Sequence, residues 1–380
     1  MNLKDFKAGR WVQQYEYKSF SPAPLNHEWT WEDPRINTLL EEATQAIGEL
    51  NAFSLIVPDV DLFIRMHVVK EANTSSRIEG TQTEIEEALA PKEMVAPERR
   101  DDWEEVQNYI KAMNQAIEDL EKLPLSNRLL RNTHGTLLEG VRGEGKLPGE
   151  FRKSQNWIGG SGPSDAIFVP PQHTEVPELM SDLEKFLHND QIQVPHLIRI
   201  AIAHYQFETI HPFIDGNGRI GRLLITLYMV SKGLLKKPTL YLSAHIEKKK
   251  RAYYDDLTHV RESNDLGQWL RFLLTAVRDT GHKGTQTFQA ILDLREEVEG
   301  RTLSLGRKAE NARLLLNHLY GNPFVTPGEV AEMLDVTHQT ASSLIHNFER
   351  LGILKRWEKI GRSQLYVFGR YLALFLERSV

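Results

Sequence analysis

Helical patterning dominates the first three quarters of this chain. Apolar residues recur every three to four positions from Ile36 to Leu50 and from Val60 to Ser76, the spacing of one face of a helix. Residues 175–188 repeat the pattern, and residues 195–207 are apolar on nearly every face, which predicts a helix at the centre of the core. The sequence therefore predicts a mostly α-helical protein.

Two places depart from helical spacing. Short β-like pieces at residues 157–158 and 167–169 flank a Gly/Ser/Pro-rich turn, which predicts a small hairpin. Near the C-terminus, predicted helices at 326–334 and 337–351 precede two strand-like segments that flank Gly361-Arg362-Ser363. That order is typical of a winged helix-turn-helix, with Ala341, Leu344, Ile345 and Phe348 facing inward.

Composition and net charge argue against several classes of protein. The formal net charge of -6 argues against a chain that coats nucleic acid or membranes electrostatically. The absence of cysteine excludes disulfides, a thiolate nucleophile and a cysteine-based zinc site. The first ten residues lack the apolar core of a signal peptide, and no apolar run is long enough to span a bilayer. We expect a cytoplasmic protein without a membrane partner.

One loop concentrates the candidate chemistry. It runs from His211 to Arg222 with the sequence His-Pro-Phe-Ile-Asp-Gly-Asn-Gly-Arg-Ile-Gly-Arg, and an apolar helical segment follows it. Its glycines let the backbone approach a ligand, and a glycine-rich turn that feeds a helix start presents free N–H groups to an anion. The pattern predicts a phosphate site.

The charged residues of the loop fit that site. Arg219 and Arg222 are three residues apart and can both reach phosphate oxygens. The Asp215 carboxylate would repel a phosphate unless a divalent cation lies between the two groups, and Mg²⁺ is usually held in this way. A histidine at position 211 can accept a proton from an attacking hydroxyl at neutral pH. Together they indicate phosphate or nucleotidyl transfer.

The same loop resembles the signature of the Fic family, His-x-Phe-x-(Asp/Glu)-Gly-Asn-Gly-Arg-x-x-Arg, with every fixed position present. The resemblance implies a Fic-type helical core and transfer of AMP from ATP, with Mg²⁺, to Ser, Thr or Tyr hydroxyls of target proteins, including the protein itself. His211 would be the general base, Asp215 would hold the metal, and Phe213 would anchor the loop. The nucleotide would contact Gly216, Asn217, Gly218, Arg219, Ile220, Gly221 and Arg222.

A second resemblance lies upstream. Ser75-x-x-x-Glu79-Gly80 is similar to the inhibitory motif (Ser/Thr)-x-x-x-Glu-(Gly/Asn) of many Fic proteins. It implies that Glu79 pairs with Arg222 and blocks productive placement of the ATP γ-phosphate. A carboxylate on a guanidinium competes directly with phosphate oxygens, so the implied inhibition is physically sensible.

Two further assignments follow from the resemblance. The predicted hairpin corresponds to a flap that holds a target peptide by strand addition. Tyr253 and Tyr254 correspond to an aromatic pair beside adenine, although aromatic residues at this spacing also occur in cores.

The chain divides into four predicted parts. Residues 1–125 form an aromatic- and proline-rich extended arm followed by helices that include the inhibitory helix, and residues 126–285 form the Fic catalytic domain. Residues 286–309 form a helical linker, and residues 310–380 form the winged helix.

Three alternatives remain open. A transcriptional regulator could use the pocket only as a nucleotide sensor, or the transferase could use another phosphate-linked donor or remove AMP.

The segment from Gly321 to Val380 has seven basic and six acidic residues, which is a weak basic excess for DNA binding. Protein contact or homodimer formation is therefore an alternative role for this segment. A zinc pair of His204 and His211 lacks a recognisable third ligand.

Overall fold

The computed structural model describes residues 1–57, 59–140, 144–360 and 363–376, and it confirms the helical prediction. The first half of the chain contains the helices α1 (Pro34–Ile56), α2 (Val60–Ile78), α3 (Ile85–Leu89), α4 (Arg100–Asp119), α5 (Asn127–Leu137) and α6 (Val176–His188). The helices that follow are α7 (His196–Ile210), α8 (Asn217–Ser231), α9 (Ser243–Lys248), α10 (Lys250–Ser263) and α11 (Leu266–Leu303). None of the described helices is long and apolar enough to cross a membrane.

The core forms around α7 and α8. Every residue of α7 after His196 is buried, as its all-round apolar sequence predicts, and α8 is buried from Arg219 to Met229. The 38-residue α11 lies along α1, where Gly281 allows close contact because a Cβ there would stand 2.9 Å from Cβ of Ala46. Helices α2, α4 and α5 also contact α8, so the start of α8 is packed on several sides.

The N-terminal arm is more ordered than its sequence suggests. It forms an antiparallel hairpin of β1 (Gly9–Gln13) and β2 (Lys18–Pro22), in which Trp11 pairs with Phe20. The Phe20 N–H donates to the carbonyl of Val169 at 2.9 Å, so the arm lies on the predicted flap. The flap itself is confirmed as a hairpin by the antiparallel bridge between Ile158 and Phe168.

The C-terminal region has the predicted winged-helix order. It comprises α12 (Ala309–Gly321), β3 (Phe324–Val325), α13 (Pro327–Leu334), α14 (His338–Arg350), β4 (Lys355–Ile360), β5 (Ser363–Val367) and α15 (Gly369–Ala373). The three strands form an antiparallel sheet in the order β3-β5-β4. The four residues expected to face inward from α14 are buried, whereas Gly361 and Arg362 of the predicted wing turn lie outside the described residues.

The winged helix also packs against α2. The ring of Phe63 contacts Tyr320 at a centroid distance of 5.2 Å, and the His67 ring lies 5.2 Å from Phe375. Helix α2, which ends directly before Glu79, is therefore in contact with both the central helices and the C-terminal region.

Candidate active site

The turn between α7 and α8 is held in one conformation by its own residues. His211 ends α7 in the left-handed region (φ 51°, ψ 61°), and Gly216 precedes α8 with φ 74°, where glycine is favoured. Within the turn, the Phe213 N–H donates to Oδ1 of Asn217 at 2.8 Å, and Nδ2 of Asn217 donates to the Phe213 carbonyl at 2.9 Å. The loop therefore enters α8 with a fixed geometry.

The side chain of Asn217 has a structural role in the turn. Its side chain is buried, and both its amide oxygen and its amide nitrogen are used by the Phe213 backbone. The amide therefore shapes the loop, and the backbone N–H of Asn217 is a candidate ligand donor. Phe213 is fully buried, as expected of the residue that anchors the loop.

Two residues next to the flap support the loop from outside. Arg152 donates from Nε to the His211 carbonyl at 3.0 Å, and its backbone N–H donates to the Pro212 carbonyl at 2.9 Å. Nδ2 of Asn156 donates to the carbonyls of His211 and Phe213 at 3.2 and 2.9 Å. Neither residue could be predicted from the sequence, because nothing in the local pattern shows that a polar side chain will be buried against a distant turn.

His134 is a third supporting residue that the local sequence does not reveal. Its ring stacks on Phe213 with centroids 3.8 Å apart and planes 9° apart. Nδ1 accepts from the Gly149 N–H at 2.9 Å, so Nε2–H donates to the Asp215 carbonyl at 3.0 Å. Burial lowers the pKa of His134 to about 4, which keeps this tautomer neutral at physiological pH.

His211 has the features of a proton acceptor. Its Nδ1 lies 3.4 Å from the Glu208 carbonyl, an arrangement in which Nδ1 carries the proton and Nε2 keeps its lone pair. Burial lowers the pKa of His211 to about 4. The imidazole is therefore neutral at pH 7, the form that can act as a base.

Glu79 and Arg222 form a direct ion pair beside this histidine. Glu79 follows the last residue of α2, and its Oε1 lies 2.6 Å from Nη2 of Arg222. Ser75 completes the contact, because its hydroxyl accepts from Nε of Arg222 at 2.8 Å and its carbonyl accepts from Nη2 at 3.0 Å. Burial alone would raise the pKa of Glu79, but attraction to Arg222, with a weaker contribution from Arg219, lowers it, so the carboxylate is ionised.

Gly218 makes room for this carboxylate. A Cβ at position 218 would stand 2.2 Å from Oε1 of Glu79 and 2.9 Å from Nη1 of Arg222. Glu79 therefore lies over the first turn of α8, where the sequence predicts a phosphate. A carboxylate at the N-terminal end of a helix is stabilised by the same free N–H groups that favour phosphate.

Arg219 is buried on the side of α8 that faces α4. Its Nη1 lies 3.2 Å from Oε2 of Glu105, its Nη2 lies 3.6 Å from Oδ1 of Asp215, and its carbonyl accepts from the Tyr109 hydroxyl at 2.7 Å. The two arginines of the loop are therefore held by different helices, and both attract Glu79.

Asp215 is the one carboxylate in the sequence of the loop, and 45% of its side chain is exposed. Its Oδ1 accepts from the Gly216 N–H at 2.6 Å, and its Oδ2 lies 3.8 Å from Nζ of Lys146. One accessible carboxylate next to a phosphate site fits Mg²⁺, which is usually held by one or two carboxylates together with substrate phosphates. The described residues contain no group of three or more His, Cys, Asp or Glu side chains that could hold a metal by themselves.

His204 and Tyr253 belong to the interior. Nδ1–H of His204 donates to the Gly221 carbonyl at 2.8 Å, and Nε2 accepts from the Tyr253 hydroxyl at 2.9 Å, so both nitrogens are engaged and the zinc alternative loses its support. Tyr253 is fully buried against Trp269, whereas 39% of Tyr254 is exposed. Of the two tyrosines, Tyr254 is therefore the candidate for an aromatic contact with adenine.

Ile220 and Gly221 pack inward. Ile220 is fully buried, and a Cβ at Gly221 would stand 2.2 Å from Oε1 of Glu208 and 3.1 Å from Cδ1 of Phe207 on α7. These positions set the spacing of α7 and α8 and do not face the expected ligand.

We expect Gly221→Ala to lower the free energy of unfolding by about 1–3 kcal/mol, because the added methyl group overpacks the α7–α8 contact. Gly300→Ala is the matched control: no atom lies within 4 Å of its added Cβ, and this exposed position on α11 should gain about 0.5–1 kcal/mol. Urea denaturation of both variants measures the difference, and equal stabilities would contradict the close packing at Gly221.

Family models match three parts of the chain. A Fic/DOC family N-terminal model matches residues 37–118, a Fic/DOC family model matches residues 124–229, and a MarR family model matches residues 310–359. The second match contains the whole α7–α8 turn, and the third coincides with most of the winged helix.

Similar proteins agree with these matches. The chain is 28% identical over 288 residues to the protein adenylyltransferase Fic of Drosophila grimshawi, covering 71% of this chain and 55% of that protein. It is 34% identical to the protein of the same name from Aedes aegypti over 133 residues, 35% of this chain and 24% of that protein. The chain thus spans between about a quarter and about half of the length of these relatives.

Solved structures show the same fold. A Fic family protein from Desulfovibrio desulfuricans G20 superposes with a TM-score of 0.56 at 22% identity, over 89% of this chain and 97% of that one. Fic-1 (residues 134–508) from C. elegans superposes with a TM-score of 0.51 at 20% identity, over 69% of this chain and 75% of that one.

Proposed function

The chain is a Fic domain protein with a C-terminal winged helix, and from this premise we propose that it transfers AMP from ATP to hydroxyl side chains of proteins. The observation that carries the proposal is the placement of a neutral His211 at one end of a rigid turn and two buried arginines at the other. Relatives named protein adenylyltransferase Fic support it.

We assign ATP to the turn and the first residues of α8, in the region that Glu79 now covers. The backbone N–H groups at Asn217 and Gly218 lie in the first turn of a helix, where intrahelical acceptors are lacking and an anion is stabilised. Arg222 would hold an outer phosphate in place of Glu79, and Arg219 would add positive charge beside it. Tyr254 would lie against the adenine.

His211 would act as the general base. The hydroxyl of a target Ser, Thr or Tyr would pass its proton to Nε2 of His211 while its oxygen forms a bond to the α-phosphorus, and pyrophosphate would leave. The Glu208 carbonyl fixes the ring, because it receives Nδ1–H. Asp215 would hold Mg²⁺, which when bound neutralises charge on the phosphates.

Glu79 would restrain this reaction. Its carboxylate occupies the Arg222 guanidinium and the space above Gly218, so the outer phosphates cannot reach their place until Glu79 moves. We therefore assign inhibition to the Ser75–Glu79 segment at the end of α2 and catalysis to residues 126–285, within which the flap forms the target-binding edge. Residues 286–309 form the link, and residues 310–380 have an accessory role. Self-modification on an exposed hydroxyl is part of the proposal.

Labelled ATP tests the reaction type. In a Glu79→Gly variant, label from the α-phosphate should become covalently attached to protein, whereas label from the γ-phosphate should be released in pyrophosphate. Transfer of the γ label would indicate a kinase and contradict AMP transfer. Parallel reactions with labelled GTP, CTP and UTP decide whether adenine is the preferred base. Release of AMP from a protein that already carries it would favour removal of AMP as the activity.

DNA binding through the winged helix is a second proposed function. The MarR family match favours it, and Thr337, His338, Gln339 and Thr340 are all exposed at the start of α14, where a recognition helix contacts bases. The weak basic excess predicts modest affinity. Retention of a sequence from a random duplex library, lost when Gln339 and Thr340 are both changed to Ala, would support it.

A further inference from the structure

The Asp215 carboxylate has a lysine beside it in addition to Arg219. Lys146 ends the single-turn 3₁₀ helix Glu144–Lys146, and its Nζ lies 3.8 Å from Oδ2 of Asp215. The side chains of Lys146 and Asp215 are 44% and 45% exposed, so both can be reached from solvent. Among the described residues, Asp215 is the only carboxylate that forms an ion pair with Lys146. The ammonium group can therefore move to a ligand without leaving any other partner.

One imidazole ring holds the two chain segments that carry Lys146 and Asp215. Nδ1 of His134 accepts from the Gly149 N–H at 2.9 Å, and Nε2–H of the same ring donates to the Asp215 carbonyl at 3.0 Å. Between Lys146 and Gly149, Leu147 has φ 54°, a left-handed conformation that is uncommon for a large side chain. Strain of this kind persists where the surrounding structure holds it, and it is concentrated at functional sites. The backbone of Lys146 is therefore fixed relative to Asp215.

Magnesium bound at Asp215 would change the surroundings of Lys146. The carboxylate is already flanked by two cations, since Nη2 of Arg219 lies 3.6 Å from Oδ1 and Nζ of Lys146 lies 3.8 Å from Oδ2. Arg219 has a second carboxylate partner in Glu105 at 3.2 Å, whereas Lys146 would be left beside a divalent cation. Like charges at such distances repel each other even in water. The ammonium group then needs an anion that arrives together with the metal.

Phosphate is the anion that fits these conditions. A lysine side chain is a flexible point charge with three donors, and it commonly binds phosphate oxygens. The backbone N–H groups of Asn217 and Gly218 begin α8 directly after Asp215 and Gly216, so an anion at this helix start lies close to the carboxylate. We propose that Lys146 binds a phosphate oxygen of ATP, and that its ammonium group contacts Asp215 only until the nucleotide arrives with Mg²⁺. This contact rests on the proposed function, because it concerns the same nucleotide.

A purely structural role of Lys146 would give a different result. If the lysine only held the Asp215 carboxylate in place for Mg²⁺, its removal would weaken nucleotide binding only when the metal is present. A direct contact between the ammonium group and a phosphate contributes with or without the metal. Nucleotide binding in Mg²⁺ and in EDTA therefore separates the two roles.

Calorimetric titration with α,β-methylene-ATP measures the contact without any transfer of AMP, because this analogue cannot lose pyrophosphate. In the full chain that carries Glu79→Gly, the further change Lys146→Gln should weaken binding of the analogue at least about fivefold, both with Mg²⁺ and in EDTA, because a charge-assisted hydrogen bond is lost. Lys146→Arg keeps the charge and should stay within about threefold of the Glu79→Gly chain.

The matched control is Lys153→Gln in the same background. Lys153 also pairs with one carboxylate, that of Glu150 at 2.5 Å, and 71% of its side chain is exposed, so its removal should leave binding of the analogue unchanged. Equal affinities of the Lys146→Gln and Lys153→Gln chains would overturn the proposal. So would a loss confined to Mg²⁺, or the absence of saturable binding to the Glu79→Gly chain. Binding of the analogue without transfer of the α-phosphate label from ATP would contradict AMP transfer alone.

Discussion

Glu79→Gly should raise the rate of AMP transfer about 10- to 150-fold, the factor that corresponds to the 1.5–3 kcal/mol of a charge-assisted hydrogen bond. The substitution removes the carboxylate that lies 2.6 Å from Arg222 and opens the space above Gly218. Intact mass after incubation with ATP and Mg²⁺ measures it directly: the variant should gain the mass of AMP faster than the unchanged chain.

Two further substitutions separate charge from shape. Glu79→Gln keeps the size of the side chain but removes its charge, so its rate should fall between those of the unchanged chain and Glu79→Gly. Glu84→Gln is the matched control, because Glu84 forms a longer contact of 3.5 Å with Arg77 and is 54% exposed. A rate increase in Glu84→Gln as large as that in Glu79→Gly would show that the contact with Arg222 is not the source of inhibition.

His211→Ala in the Glu79→Gly background should lower AMP transfer about 10²- to 10⁴-fold, the usual contribution of a general base. Nε2 of His211 is the proposed proton acceptor, and no proton can be taken there once the ring is removed. The loss is measured by comparing the rate of α-phosphate label transfer of the double variant with that of Glu79→Gly alone. Full activity of the histidine variant would rule out the proposed mechanism.

The backbone at this position calls for a second variant. His211 has φ 51°, a conformation in which Asn is tolerated better than Ala, so His211→Asn removes the base with less strain on the turn. Both variants should be equally inactive if the lost base is the cause. His259→Ala is the control, because this partly exposed histidine on α10 has only a 3.8 Å contact with Asp265 and should leave the rate unchanged.

The local sequence predicted the helices and the chemistry of the main loop. Apolar spacing placed α2 and the start of α1 within two residues of their observed bounds, since a helix repeats over positions close in the chain. It ended α1 at Leu50, six residues before the observed end at Ile56. The loop from His211 to Arg222 could be recognised because its histidine, carboxylate, glycines and arginines are contiguous. The order of helices and strands near the C-terminus likewise indicated the winged helix.

The partners of these residues were harder to predict. Arg152 and His134 reach the loop from 59 and 81 residues away, so no periodic pattern connects them with it. Asn217 sits inside the recognised loop, yet its amide turns to the Phe213 backbone, because a buried amide must satisfy its own hydrogen bonds. For the same reason the Tyr253 hydroxyl bonds to His204 inside the core.

The sequence by itself determined the helical class and the winged helix, and it located the glycine-rich loop that begins at His211, because these depend on spacing along a few consecutive residues. The tertiary structure decided that Glu79 lies on Arg222 across 143 residues and that Gly218 gives it room. Such contacts depend on how whole helices pack, since burial and charge act between surfaces that meet only in the folded chain.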